Sequence, residues 1–111
     1  MTTVFKKIIL GQLPSKRVFE NERILAIEDI HPIAPVHILI MPKKEIPNLQ
    51  SLEPVDFPLL GEIVAVAQRL ARERGIEEGY RLLTNNGSEA GQTVFHLHFH
   101  LIGGRLLGKM A

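Results

Sequence analysis

Between positions 96 and 102 the chain reads His-Leu-His-Phe-His-Leu-Ile, an imidazole at every second residue with a large apolar side chain in each gap. In an extended chain successive side chains point to opposite faces. The spacing therefore predicts a strand over His96–Ile102, with His96, His98 and His100 in one row and Leu97, Phe99 and Leu101 in the other. A helix would turn each residue by about 100° and scatter the three rings around its circumference. The β-prone run Thr93-Val94-Phe95 just ahead points the same way. Three of the five histidines in the chain share this face. Each ring demands hydrogen-bond partners, so a purely structural row of three is a poor explanation.

The remaining segments read as the frame for that strand. Residues 3 to 11 form a short helix, with Val4 and Ile8 on its buried side and Phe5 beside them, closed by Gly11 and Pro14. Arg17–Glu20 and Ile24–Ile27 are β-prone runs close enough to pair as a hairpin. Val36–Met41 is apolar except for His37, as suits a central strand buried on both faces. Taken alone, His37 reads as a core imidazole with some hydrogen bond. A long helix begins around Pro54 to Pro58 and runs to about Arg74. Leu60, Ile63, Val64, Ala67, Leu70 and Ala71 fall at helical spacing, and Gly75 supplies the cap. Tyr80–Thr84 is a further strand, and the polar loop Asn85–Gln92 delivers the chain into the histidines. Its two glycines permit close approach of backbone N–H groups to an anion. Gly103 and Gly104 end the motif.

A length of 111 residues suits one domain spanning 1–111, and 45% apolar against 23% charged residues is a globular composition. A net charge of +1 offers no electrostatic case for nucleic acid or a membrane surface. No apolar run approaches the roughly 20 residues of a membrane span. The start of the chain lacks the order of a signal peptide, so a cytoplasmic location is expected. With no cysteine there is neither a disulfide framework nor a thiolate metal site.

Two chemistries use clustered imidazoles: neutral rings ligate zinc and similar ions, and a ring nitrogen attacks an electrophile to form a covalent intermediate. No carboxylate lies near the motif in sequence, although Asp29, Glu45 and His37 are free to approach in space. Residue types alone leave the two chemistries level.

The motif His96–Ile102 resembles the His-φ-His-φ-His-φ-φ signature of the histidine triad (HIT) family. Further segments are similar to its Hint branch: Phe5–Ile9, Asp29-Ile30, Ala34–Lys44, Gly79–Arg81, Gly91–Phe95 and Gly103–Arg105. The resemblance implies an α+β fold, with a five-stranded antiparallel sheet, one short and one long helix, and a homodimer joining two sheets. It implies a purine nucleoside phosphoramidase that needs neither metal nor cofactor. Its ligands would be purine nucleoside monophosphates and their phosphoramidates. His98 matches the nucleophile, His96 and His100 its flanking partners at the phosphate, and His37 a fourth histidine bonded into the triad. Asp29 matches the acid that holds the ribose, and Ile30 an apolar neighbour of the base. Asn85, Gln92 and Thr93 match positions near the phosphate and leaving group.

Three departures from the branch stand out: Thr93 where serine is frequent, Glu45 where some members carry histidine, and a short tail with no aromatic residue. Rival readings are a nucleotide-binding regulatory module with incidental activity, a zinc-binding protein, and a dinucleoside polyphosphate hydrolase. The last would need cationic side chains, and only Arg105 borders the motif in sequence.

Overall fold

The sheet is built outward from Val36–Pro42 (β3), all seven residues of which are buried. Its neighbours in the computed structural model, which describes residues 2–111, are Ile24–Glu28 (β2) on one side and Phe99–Gly103 (β5) on the other. Arg17–Glu20 (β1) and Tyr80–Leu83 (β4) form the two edges, giving the order β1-β2-β3-β5-β4 with every pair antiparallel. The expected hairpin is β1 and β2, and the expected central strand is β3. The fold is α+β, with five antiparallel strands, one short helix and one long one.

The two faces of the sheet are covered unequally. Ile24, Ala26, Ile38, Ile40 and Leu101 pack against the long helix Phe57–Glu73 (α2) through Ile63, Val66, Ala67, Leu70 and Ala71. On the opposite face Leu25, Ile27, Leu39 and Met41 meet the six-residue helix Val4–Ile9 (α1) through Phe5 and Ile8, with Val94 packed beside them. That short cover leaves the rest of the second face open, and His100 lies there beside His37.

Both helices differ slightly in phase from expectation. In α1 the buried pair is Phe5 and Ile8, and Val4 is 43% exposed. In α2 Val66 is buried in place of the expected Val64, which is 45% exposed. At 100° per residue Val64 falls at the edge of the stripe centred on Ile63, Ala67 and Leu70. Arg74 and Gly75 end α2. Gly75 sits at φ 70°, its N–H reaches Arg72 C=O at 3.1 Å, and Ile76 N–H reaches Ala71 C=O at 2.9 Å. These are the two bonds of a Schellman cap.

The expected strand over His96–Ile102 is shorter and later than the alternation suggests. The ladder between β3 and β5 ends at the pair Ile40 and Phe99. Beyond it, Pro42 would face Leu97, and proline has no N–H to give. The Leu97 N–H turns instead to Ile46 C=O at 2.7 Å. His96 and His98 thus precede the strand, held by loop contacts, and only His100 is in it.

Two glycines test this packing in opposite directions. A Cβ on Gly103 would lie 2.9 Å from Ile76 Cδ1 and 3.2 Å from Gly79 O, whereas Gly61, exposed within α2, has nothing within 4 Å. Gly103→Ala is expected to destabilise by about 1–3 kcal/mol through overpacking. Gly61→Ala should stabilise by about 0.5–1 kcal/mol. Urea unfolding at constant pH reads both signs.

Candidate functional site

Three of the four histidines are held by a backbone group and the fourth by a neighbouring ring, and the chemistry of the partner decides which ring nitrogen carries the proton. His98 Nδ1 lies 2.7 Å from the carbonyl oxygen of His96. A carbonyl only accepts, so Nδ1 bears the hydrogen and Nε2 keeps a free lone pair. His96 Nε2 likewise donates to Pro42 C=O at 2.7 Å. At His37 the polarity reverses, because the Ile33 N–H donates to Nδ1 at 3.2 Å. His37 must then hold its hydrogen on Nε2, which points at His100 Nδ1, 2.9 Å away. His100 accepts there, and its own hydrogen stands on Nε2. Two adjacent rings, with centroids 5.2 Å apart, therefore present opposite properties: His98 a nucleophilic nitrogen and His100 an N–H donor.

The surroundings fix these rings further. Phe5 of α1 meets His98 edge to face, with centroids 4.8 Å apart and planes at 81°. The Thr84 hydroxyl, just beyond β4, donates to His98 C=O at 2.7 Å. Asp29 follows β2, and its N–H bonds His37 C=O at 3.0 Å. One carboxylate oxygen of Asp29 accepts from His31 N–H at 2.8 Å, and the other stands 3.4 Å from His37 Nε2.

All four imidazoles are held neutral. Burial pushes His100 down to about 4, and the neighbouring His98 and His37 add to the shift. Burial also lowers His37, against the opposing pull of Asp29. It lowers His98 and His96 too, against the stabilising carbonyls of His96 and Pro42 respectively.

A cleft of about 510 Å³ opens on this face, and His37, His100, Asn85 and Ile33 contribute to its walls. Arg81, Arg105 and Lys109 also line it. In sequence only Arg105 stands beside the motif. The fold adds Arg81 because β4 pairs with β5, setting Arg81 opposite Ile102.

Not every expected site residue reaches the cleft, and neither His98 nor Asp29 is among the residues that line it. Ile30 is 83% exposed near the start of the loop that follows β2. His96 is 2% exposed and its Nε2–H is committed to Pro42, so its ring stands behind the site. Gln92 is buried, its carbonyl accepting from Gly87 N–H at 2.7 Å and its amide donating to Pro47 and Val94 carbonyls at 2.8 and 3.1 Å. Gln92 is a staple for the polar loop, with no free group left for a ligand. Thr93 is exposed and borders a separate cleft with Thr3, Val4, Pro47, Val94 and Phe95. Ile33, Thr84 and Pro42 act through backbone or hydroxyl groups and carry no residue-type signal that sequence reading could use.

One group among the described residues has donor atoms close enough together for a metal ion. Asp29, His37 and His100 each offer an atom within 4.8 Å of the others. The carboxylate that the motif lacks in sequence is thus supplied by the end of β2, while Glu45 lies 3.9 Å from Lys6 instead.

Comparison with known proteins follows the same lines. The family model described as HIT domain matches residues 11–107. A HIT-like protein of Chlamydia muridarum is 53% identical over 111 residues, covering 100% of this chain and 88% of that protein. The structure of a HIT family hydrolase from Clostridium thermocellum superposes with TM-score 0.93 at 49% identity, over 97% of this chain and 95% of the other. A histidine triad nucleotide-binding protein from Candida albicans gives TM-score 0.81 at 33% identity, over 98% and 85%.

The buried neutral rings have a thermodynamic consequence. Between its folded value near 4 and the unfolded value of 6.5, His100 binds fewer protons folded than unfolded. Stability therefore rises with pH across this window and is lost as pH falls through it. At up to about 1.4 kcal/mol per pH unit, His100 alone accounts for roughly 2 kcal/mol between pH 7 and 5. The carboxylates titrate mainly below that window. Denaturation midpoints at pH 7 and pH 5 should show the loss, and His100→Gln should reduce it.

Proposed function

The chain belongs to the HIT domain family, and we propose that it is a Hint-branch hydrolase cleaving the P–N bond of purine nucleoside 5′-phosphoramidates. Residues 1–111 are read as a single HIT domain. The observation that carries the reading is the His98 Nδ1–H bond to the His96 carbonyl, which leaves Nε2 unprotonated beside the His100 N–H donor. Structural relatives described as hydrolases, and a more distant one described as nucleotide-binding, support it.

The reaction has two displacements. His98 Nε2 forms a bond to the α-phosphorus, the P–N bond breaks, and its electron pair leaves on nitrogen, which takes up a proton and departs as the amine. Water then adds to phosphorus, the bond to Nε2 breaks, and nucleoside monophosphate is released. The neutral state of His98 at pH 7 means that no proton has to be removed before attack. The His100 N–H faces charge building on the phosphoryl oxygens, and a donor fixed in advance needs no reorganisation as that charge grows. His96 contributes its carbonyl rather than its ring. Asp29 would accept from the ribose hydroxyls with the oxygen lone pairs that His31 does not use, Ile30 would flank the base, and Asn85 would face the phosphate from the cleft wall. The edge strand β4 would pair with its copy in a homodimer. No metal or cofactor is assigned to the reaction.

The cationic lining of Arg81, Arg105 and Lys109 favours a second reading as a dinucleoside polyphosphate hydrolase, since an anionic leaving group needs charge neutralisation more than a proton. Both guanidinium groups already bond backbone carbonyls of their own chain, and we put phosphoramidates first. The purified protein, assayed as the dimer that light scattering is expected to report, should turn over adenosine 5′-phosphoramidate at least about tenfold faster in kcat/KM than diadenosine polyphosphates. His98→Ala should abolish both activities, and exhaustive chelation should spare them. Equal kcat/KM for the two substrate classes, or activity dependent on added zinc, would overturn the proposal.

A further inference from the structure

The chain of bonds that sets the tautomer of His100 does not end at Ile33. The Ile33 carbonyl accepts from Arg105 Nη2 at 2.9 Å, while the Ile33 N–H, on its other side, donates to His37 Nδ1. The loop that carries Ile33 is exposed at His31, Pro32 and Ile33, so little packing holds its backbone in place. The His31 N–H bond to Asp29 and the buried Ala34 fix its two ends, and two contacts from just after β5 hold the part between. Arg105 supplies the hydrogen bond, and Gly104, at φ 96°, lets its backbone lie against Pro35, close enough that a Cβ there would stand 3.0 Å from Pro35 Cβ. A side chain at position 104 would push the loop outward and be strained at that φ.

We infer that Arg105 is a positioning residue for catalysis, holding the Ile33 peptide so that His37 and, through it, His100 keep their hydrogens on Nε2. The direction of each bond leaves no slack in this relay. Ile33 N–H can only donate, so with the loop in place His37 Nδ1 can only accept. The opposite tautomer of His37 would set two N–H groups against each other. Without Arg105 the Ile33 peptide is free to move away, and that opposition disappears. His37 then samples both tautomers, and His100 can follow by taking a hydrogen on Nδ1. In that state a lone pair, not an N–H, would face the phosphoryl oxygens. Asp29, 3.4 Å from His37 Nε2, favours the native tautomer from the other end, so loss of Arg105 weakens the preference without reversing it. The cost to activity rests on the phosphoryl-transfer reading; the tautomer relation does not.

The test uses the full-length protein labelled with nitrogen-15, as wild type, Arg105→Met and Arg105→Lys. Methionine keeps the aliphatic stem without a donor, and lysine restores one donor. Long-range proton–nitrogen correlation at pH 7 distinguishes protonated from unprotonated ring nitrogens. Wild type is expected to show His37 and His100 protonated on Nε2 only. In Arg105→Met both rings should acquire Nδ1 protonation. The ratio of native to alternative tautomer should fall about three- to tenfold, the shift one neutral hydrogen bond sustains, and kcat for adenosine 5′-phosphoramidate should fall by up to about twofold with KM unchanged. Arg105→Lys should recover most of both. Unchanged tautomers in Arg105→Met would overturn the inference. So would a rise in KM with kcat unchanged, because Arg105 would then be a substrate contact on the cleft wall. A wild type with no phosphoramidase activity, but with tautomers that respond to Arg105→Met, would reject the proposed reaction and leave the positioning role standing.

Discussion

The hydrogen bond from His98 Nδ1 to the carbonyl of the residue two places before it, 2.7 Å long, is the constraint on which the site depends. A neutral imidazole has one donor and one acceptor, and fixing either end fixes the other. The bond is local in sequence, yet it forms only because His96 and His98 stand outside the ladder. The β3 ladder ends at Ile40 and Phe99, and the strand could continue through residue 96 only past Pro42. The proline at position 42 prevents that continuation, and its carbonyl also receives the ring of His96. A residue without an N–H thus helps both to end the strand and to build the loop that orients His98.

The unequal cover of the sheet gives that loop its space. The 17-residue helix α2 closes one face. The six-residue α1 covers part of the other and places Phe5 against His98. His37 and His100 then sit at the border between core and cleft, buried enough to stay neutral and open enough to meet a ligand. Burial of a hydrogen-bonded imidazole disfavours its charged form, so the chemistry and the stability of this face favour the same protonation state. The same border gathers Asp29, His37 and His100, whose donor atoms come together from the end of β2, from β3 and from β5.

Much of this arrangement is legible in the sequence because the alternating and helical patterns reflect which side chains are buried. The alternation at 96–102 marks the site, the apolar run at 36–41 marks the central strand, and Gly75 marks the end of α2. What escapes depends on register or on main-chain groups. That Pro42 would fall opposite Leu97 is visible only once Val36 is known to pair with Gly103. Gln92 has a side chain suited to a ligand, and only the fold shows Pro47 and Val94 carbonyls waiting for its amide. Arg81 joins the cleft because of strand order, not because of any neighbour in the chain. The Ile33 N–H is invisible to residue-type reasoning, since every residue but proline has one.

The central claim is that neutral His98, with its hydrogen held on Nδ1, attacks phosphorus through Nε2. Its most direct test is to capture the covalent intermediate. Metal-free protein mixed with excess adenosine 5′-phosphoramidate, quenched within milliseconds into alkali where a phosphorus–nitrogen bond to imidazole survives, can be digested and sequenced by mass spectrometry. The account expects an adenylyl group on His98 that forms and decays at rates compatible with turnover. An adduct on His96 or His100 would contradict it, as would steady turnover with no adduct on any histidine.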